Sequence, residues 1–572
     1  MAAPRLALLA LLAATACAVS PVDDLLWWQT SVIYQIYPRS FKDSDGDGVG
    51  DIKGITSKLW YVKNLGVGAI WLSPIYKSPM VDMGYDISDF YDIDPLFGTM
   101  DDFKELLEEA HNMDLKVVMD FVVSYTSDQV PWFNKSVHRE DGFDDWYVWA
   151  RGERNESAEH GYNYPSNWLS AFNGPGWEWN DVRQEFYFHS FTKEQPDLNY
   201  RSQGVIDEMD RVLKFWFDLG VDGFRVDAVP QMAEDACFRN EEPAGNDLPP
   251  YDYEYLTHKY TQHQPETYAT IKHWRELTDQ YDNPPRVLML ETYGPIDEVV
   301  DYYGTTEHPG GHFPFNFYFI TELKNTSSAQ DLDRIVHKWM DNIKAIDWPN
   351  WVLGNHDQRR VATRFGPQLA DAMNMLSLLL PGTAITFMGE ELAMEDHLGI
   401  TWEETQDPWA INAGPDEYMV YSRDPERTPF QWDNTVSAGF STNPKTWLPV
   451  NPNYEWLNAE NQLHLRITHV LVYQNLVRLR QLDAFRRGSL TTAVVGDVFA
   501  FSRVYGDEAY VVAINLGGTK ETVDLSALSP LPNLVVSVSS INSFAQYATF
   551  PADAVVLQPY GALALRSYDT TS

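Results

Sequence analysis

GFRVDAV, residues 223–229, runs from a glycine through a short apolar stretch and closes on a carboxylate. It is one of eight such runs. The others are SVIYQIYP (31–38), VGAIWLSPI (67–75), KVVMDFVV (116–123), RVLMLETY (286–293), FNFYFI (315–320), NWVLGNHD (350–357) and AITFMGEE (384–391). Between most of them lie amphipathic helical patterns such as DDFKELLEEAHNMD (101–114) and VIDEMDRVLKFWFDLG (205–220). Near-continuous apolar strands alternating with helices predict a parallel sheet buried on both faces. Eight units predict closure into a (β/α)8 TIM barrel, an α/β fold. An open doubly wound sheet is the alternative, but no glycine-rich phosphate fingerprint follows the first strand.

Two stretches break the rhythm. Residues 124–200, rich in Trp, Asn, Gly and Pro and including GPGWEWND, predict an inserted loop-rich subdomain after the third strand, over the C-terminal mouth of the barrel. After the helical HLRITHVLVYQNLVRLRQL (464–482), short alternating segments such as VFAFSRVY and AYVVAINL predict a C-terminal antiparallel β domain over 487–572. The barrel is then assembled from 19–123 and 201–486.

The 572 residues are 44% hydrophobic and 14% aromatic, a globular composition. A formal charge of −40 repels nucleic acid and anionic membrane surfaces, which excludes both as partners. Carboxylates among 20 Trp, 31 Tyr and 28 Phe suit a neutral polyhydroxylated ligand such as a sugar; filling of the core is the plainer use of those rings. The N-terminus, MAAPRLALLALLAATACAVS, has one positive charge at Arg5, an apolar run too short to span a bilayer, and small residues for cleavage after Ala18. It reads as a signal peptide, residues 1–18, and predicts a secreted, extracellular protein. Cleavage removes Cys17 and leaves Cys237 without an intrachain partner. Sequons at Asn134, Asn155 and Asn325 fit that route. No other stretch approaches a transmembrane span, and the polar LALRSYDTTS lacks a lipid-anchor tail.

Three acids stand where barrel enzymes carry their chemistry, at or just past the C-terminal ends of apolar runs: Asp227, Glu291 and Asp357. A carboxylate there is costly unless paired or functional. Arg225, two residues before Asp227 on the same strand face, offers the structural alternative of a buried ion pair. Glycoside hydrolysis uses two carboxylates flanking the scissile bond, about 5 Å apart in retaining enzymes, with a third acid left to stabilise. Spacing alone does not distribute these roles.

The acidic loop DSDGDGVGD (43–51) matches the opening of an EF-hand calcium loop, but its twelfth position is Gly54, which offers no side-chain oxygen. Asp51 must close the ligand set instead, so it reads as a divalent-cation loop of another kind. A solvated acidic turn is the alternative.

The blocks WWQTSVIYQIYPRSFKDSDGDGVGDIKGI and SRDPERTPFQWD, and the mature chain between them, resemble α-glucosidases of the α-amylase superfamily, close to insect maltases. That resemblance implies Asp227 as nucleophile, Glu291 as general acid/base and Asp357 as transition-state stabiliser. It implies sugar contacts from Asp82, Tyr85, Arg225, His356 and Arg427, with Tyr85 stacking on the glucosyl ring and Asp82 and Arg427 closing an exo-acting pocket. Ala228 after the nucleophile resembles the α-1,4 enzymes. The family also implies structural Ca2+ on Asp43, Asp45, Asp47, the Val49 carbonyl and Asp51. The implied substrates are maltose, maltooligosaccharides or sucrose. A catalytically weakened carbohydrate-binding or receptor protein is the alternative, and a polymer-cutting endo-amylase is disfavoured by the closed pocket.

One departure stands out. Where the family has Pro-Asn-His after the third strand, this chain has Val123, Ser124 and Tyr125. The histidine donates to the glucosyl unit in the reaction subsite, so Tyr125 is expected to serve that subsite with an altered contact.

Overall fold

A computed structural model of the chain describes residues 25–569. The expected signal peptide therefore lies outside the described residues. Eight parallel strands form one sheet: β1 (Val32–Ile36), β2 (Ala69–Leu72), β3 (Lys116–Val122), β4 (Gly223–Asp227), β5 (Val287–Leu290), β6 (Phe313–Pro314), β7 (Asn350–Val352) and β8 (Thr383–Phe387). Their order is β6-β5-β4-β3-β2-β1-β8-β7, a barrel with one seam between β6 and β7. The Asn350 side chain crosses that seam. Its Nδ2 donates to the Pro314 carbonyl at 2.7 Å, and its Oδ1 accepts from the Asn316 amide at 2.9 Å.

All but the first residue of β3 and every residue of the other seven strands are buried, which is why they read as apolar runs. The register places Asp120 of β3 directly beside Arg225 of β4. Gly223, which opens β4, is required by close packing: a Cβ there would meet Val287 Cγ1 at 2.4 Å and the Val287 carbonyl oxygen at 2.6 Å. The helix Met100–Asn112 starts at a capping box, with Thr99 and Asp102 bonding each other's backbone amides. The helix Gln203–Leu219 stops at Gly220, whose φ of 112° suits glycine.

Two sequence expectations are corrected. FNFYFI is not the sixth strand: β6 ends at Pro314, and Tyr318–Thr321 is a helical turn. Both segments are buried, so a short apolar run could not distinguish them. The helical run 464–482 is interrupted at 465–468, because Thr468 caps the helix His469–Arg480, its Oγ1 accepting from the Leu471 amide at 3.2 Å.

The insertion after β3 carries a three-stranded antiparallel sheet, Trp149–Ala150, Glu185–Phe188 and Trp177–Asn180, around its own core of Val148, Trp168, Trp177, Phe186 and Phe188. The C-terminal domain is a six-stranded antiparallel sheet from Ser489–Val495 to Ala562–Tyr568, with a two-stranded sheet beside it. Its strands alternate in allegiance: Phe499, Phe501 and Val512 join the barrel's core, while Val498, Ala500, Val511 and Ala513 form a separate one. No helix among the described residues is long and apolar enough to cross a membrane. Cys237 is exposed and unpaired by any disulfide.

Candidate active site

A cavity of about 320 Å³ opens at the C-terminal ends of the strands, lined by Asp82, Tyr85, Tyr125, Asp227, Glu291, His356, Asp357 and Arg423 among others. The three acids expected from the sequence converge there.

Arg225 organises the floor. Its Nη1 bonds Asp120 at 2.8 Å and Asp227 Oδ1 at 2.5 Å, and its Nη2 meets Glu291 Oε1 at 2.6 Å. The guanidinium also lies over Trp71 and Tyr85, 5.3 and 5.9 Å from their ring centroids. The ion pair offered as an alternative to function is therefore real, and it holds the acids together. Sequence reasoning missed Asp120, although its signal was present: one carboxylate inside the apolar run KVVMDFVV. Asp120 accepts from Trp71 Nε1 at 2.5 Å and Tyr85 Oη at 2.8 Å as well as from Arg225, and burial pushes its carboxyl up to about 6 against that guanidinium.

Asp227 ends β4, and its Oδ2 accepts from Tyr125 Oη at 3.1 Å. Burial pushes its carboxyl well up; Arg225 opposes the push, while Glu291 and Asp120 add to it. Three carboxylates around one guanidinium carry excess negative charge, which favours retention of a proton within the set. Ala228, just past the strand, has φ 45° and ψ 42°. That left-handed turn points its amide at Glu291 Oε2, 2.8 Å away, so the residue after one acid locates the other.

Asp357 stands on the opposite wall. Burial raises its carboxyl, but the His356 ring beside it, acting as an N–H donor, and the charges of Arg427 and Arg423 outweigh that and hold it well below the usual carboxylate range. Arg427 Nη2 bonds Oδ1 at 2.7 Å, Arg423 Nη1 bonds the same oxygen at 3.2 Å, and His356 Nε2 lies 3.2 Å from Oδ2. Burial keeps the His356 ring neutral. Its Nδ1 accepts from Gln35 Nε2 of β1 at 2.8 Å, which places the ring proton on Nε2, 2.7 Å from Tyr85 Oη. Tyr85 passes its own proton toward Asp120. A single chain, Gln35–His356–Tyr85–Asp120, thus fixes the polar floor, and the Tyr85 and His356 rings lie within 4° of parallel.

The arginine expected to close the pocket is the wrong one of two. Arg427 is 1% exposed and lies behind the wall, its Nε donating to the His356 carbonyl at 2.7 Å. Arg423 reaches the cavity: its Nη2 bonds Asp82 Oδ1 at 3.0 Å and Asp407 at 2.7 Å, and it lies 5.0 Å over the Phe172 ring. Arg423 precedes the one-turn helix Asp424–Arg427 and Arg427 ends it, so the motif alone did not separate them. Asp82 is set by Asp86, whose carboxylate accepts the amides of Val81 and Asp82 at 2.9 and 3.0 Å. The insertion contributes Phe172, Phe191 and Gln195, the last donating to Asp82 Oδ2 at 3.2 Å.

The acidic loop follows β1. Asp43, Asp45 and Asp51 bring carboxylate oxygens within 4.8 Å of one another, a donor set that fits a hard divalent cation. Asp47 stands outside that group, its Oδ1 accepting the Val49 amide at 2.7 Å. Asp51 also caps the helix Ile52–Leu65. Of the sequons, Asn134 and Asn325 are exposed, while the Asn155 amide donates to Asn163 at 2.7 Å.

Residues 35–488 match the alpha-amylase family, described as "Alpha amylase, catalytic domain". Maltase 1 of Drosophila virilis is 47% identical over 555 residues, 95% of this chain and 87% of that one. The amino acid transporter heavy chain of Homo sapiens is 37% identical over 477 residues, 82% of this chain and 67% of that one. The crystal structure of the α-glucosyl transfer enzyme XgtA superposes with a TM-score of 0.85 at 33% identity, covering 95% of this chain and 100% of that one. The matched span holds the barrel from Gln35 onward and all three mouth acids, and the chain is a glycoside hydrolase belonging to the alpha-amylase family.

Proposed function

We propose that the protein is a secreted, exo-acting α-glucosidase that releases terminal α-1,4-linked glucose from maltose, maltooligosaccharides or sucrose with retention. The observation that carries this is Arg225 holding Asp227 and Glu291 on its two terminal nitrogens. Carboxylates sharing one guanidinium are held close, as a retaining pair needs (about 5 Å) and an inverting pair, at about 6.5–9.5 Å, does not. Asp227 Oδ2 attacks the anomeric carbon while Glu291 gives its proton to the departing oxygen. Water then attacks, surrendering a proton to Glu291 as the bond to Asp227 breaks. Asp357, kept ionised by His356 and two arginines, faces the positive charge of both transition states. Arg423 and Asp82 pair across the inner wall, which supports a closed pocket for a chain end over an open groove. The relatives from Aedes aegypti and Anopheles gambiae are salivary α-glucosidases, which supports secretion.

We propose further that Asp43, Asp45 and Asp51, with the Val49 carbonyl and water, hold Ca2+ in a structural role. The loop packs on the 440–447 segment, where Ser441 Oγ donates to Asp43 at 2.5 Å and the Trp447 amide to the Gly48 carbonyl at 3.0 Å. A bound ion ties these segments together.

The test follows the anomer released. NMR of fresh hydrolysate from 4-nitrophenyl α-glucoside, whose glucose comes only from the cleaved glucosyl unit, should show α-glucose before mutarotation, and Asp227→Asn should abolish it. β-Glucose as the first product would overturn the retaining assignment. Tyr125 at the family's histidine favours a second reading, a sugar-binding protein with little turnover; saturable maltose binding by wild type without glucose release would establish it.

A further inference from the structure

Two of the three residues by which this chain departs from its family's motif, Ser124 and Tyr125, reach the segment of Asp227 and Ala228. Tyr125 Oη donates to Asp227 Oδ2 at 3.1 Å, and Ser124 Oγ donates to the Ala228 carbonyl at 2.9 Å. The segment that carries them is anchored elsewhere. Tyr125 pairs with Asp197 as an isolated bridge, Leu198 N bonds the Ser124 carbonyl at 2.9 Å, and the Tyr125 ring, 2% exposed, packs 4.9 Å from Phe191. Burial and the neighbouring Asp227 raise the Tyr125 phenol, so it stays protonated and remains a donor.

We propose that Tyr125 is a positioning residue that controls the second half-reaction, departure of glucose from Asp227. This rests on the double displacement proposed above. Asp227 Oδ1 is occupied by Arg225, which leaves Oδ2 to bond the anomeric carbon. In the free enzyme Oδ2 carries carboxylate charge and the Tyr125 bond is strong. When Oδ2 gives its electron pair to carbon, it becomes an ester oxygen and a poor acceptor. In the second step water's oxygen bonds carbon, its proton goes to Glu291, and the pair returns to Oδ2. Charge returns with it, and the Tyr125 bond strengthens as the transition state forms. The hydroxyl therefore favours deglucosylation and restrains glucosylation.

The experiment is stopped-flow kinetics of wild type, Tyr125→Phe and Ser124→Ala on 4-nitrophenyl α-glucoside. Tyr125→Phe should show a nitrophenol burst approaching one equivalent, with kcat down about tenfold and kcat/KM changed less than threefold. KM then falls with kcat, a split that a merely structural role does not produce. Ser124→Ala, which loosens the Ala228 turn, should lower kcat and kcat/KM together. Site-specific 3-fluorotyrosine at 125, a stronger donor of nearly the same shape, should diminish any burst, and it tests the idea even where Tyr125→Phe fails to fold. Equal losses of kcat and kcat/KM in Tyr125→Phe without a burst, or a larger burst with fluorotyrosine, overturns the assignment. Mass spectrometry of wild type mixed with 5-fluoro-α-glucosyl fluoride separates the two levels. A glycosyl adduct with unchanged partition refutes only Tyr125; no adduct refutes the double displacement and this inference with it.

Discussion

Replacing Arg225 with Met tests the architecture at its most connected point. The guanidinium makes contacts of 2.8, 2.5 and 2.6 Å to three carboxylates. Asp120 is fully enclosed, and Asp227 and Glu291 are buried at the cavity floor. Methionine fills much of the volume and removes the charge. Breaking a buried pair from one side costs about 3–5 kcal/mol, because the orphaned charge remains. Here part of that cost is avoided by protonation: Asp120 and Asp227, already pushed upward by burial, lose the cation that opposes the push. The folded variant therefore holds more protons at neutral pH than wild type does, and its stability falls as pH rises. Asp227, the proposed nucleophile, is then protonated at neutral pH, so activity should drop by about a thousandfold or more near pH 6, with the acid limb of the pH–kcat/KM profile moved upward. Thermal melts at pH 5 and 8, with hydrolysis of an aryl α-glucoside from pH 4 to 9, read both effects. A variant with wild-type melting at both pH values and an unmoved acid limb would refute the view that one guanidinium sets the charge of all three acids.

The two arginines of SRDPERTPFQWD should separate kinetically. Arg423→Ala opens the pocket wall and should raise KM for maltose about tenfold or more; Arg427→Ala disturbs Asp357 from behind and should chiefly lower kcat, and the reverse pattern would return Arg427 to the pocket. Asp197 is buried against Ser190 and raised by that burial to about 8, in contact with Glu234. The unfolded chain ionises it near pH 4 while the fold keeps it protonated, so stability falls as pH rises from about 4 to about 8, by at most about 1.4 kcal/mol per unit. Asp197→Asn should flatten that fall in melting temperature, and an unchanged slope would count against the assignment. Chelation should lower the Tm of wild type while leaving KM of the folded fraction nearly unchanged, by loss of ion-linked stability; identical melting of chelated Asp45→Ala and untreated wild type would show that the acidic loop holds no useful ion.

What the sequence disclosed follows from where each signal is local. Strands buried on both faces had to be largely apolar, so seven of the eight runs located their strands, and an acid ending such a run had to be paired or functional. Asp227, Glu291 and Asp357 were legible for that reason. FNFYFI failed because burial makes a strand and a helical turn look alike over six residues. Arg423 and Arg427 failed differently: the motif marks a guanidinium over the pocket, but which one enters depends on how a one-turn helix sits between Asp82, Asp407 and Asp357, contacts separated by more than 340 residues in the extreme case. Asp120 lay in plain view, yet its meaning came only from its register beside Arg225. Tyr125 is the most instructive residue. As a substitution it reads as an altered sugar contact; in the fold its hydroxyl donates to Asp227, the proposed nucleophile. A motif can report that a functional position has changed, but only the partner on the neighbouring strand tells what the new side chain does there.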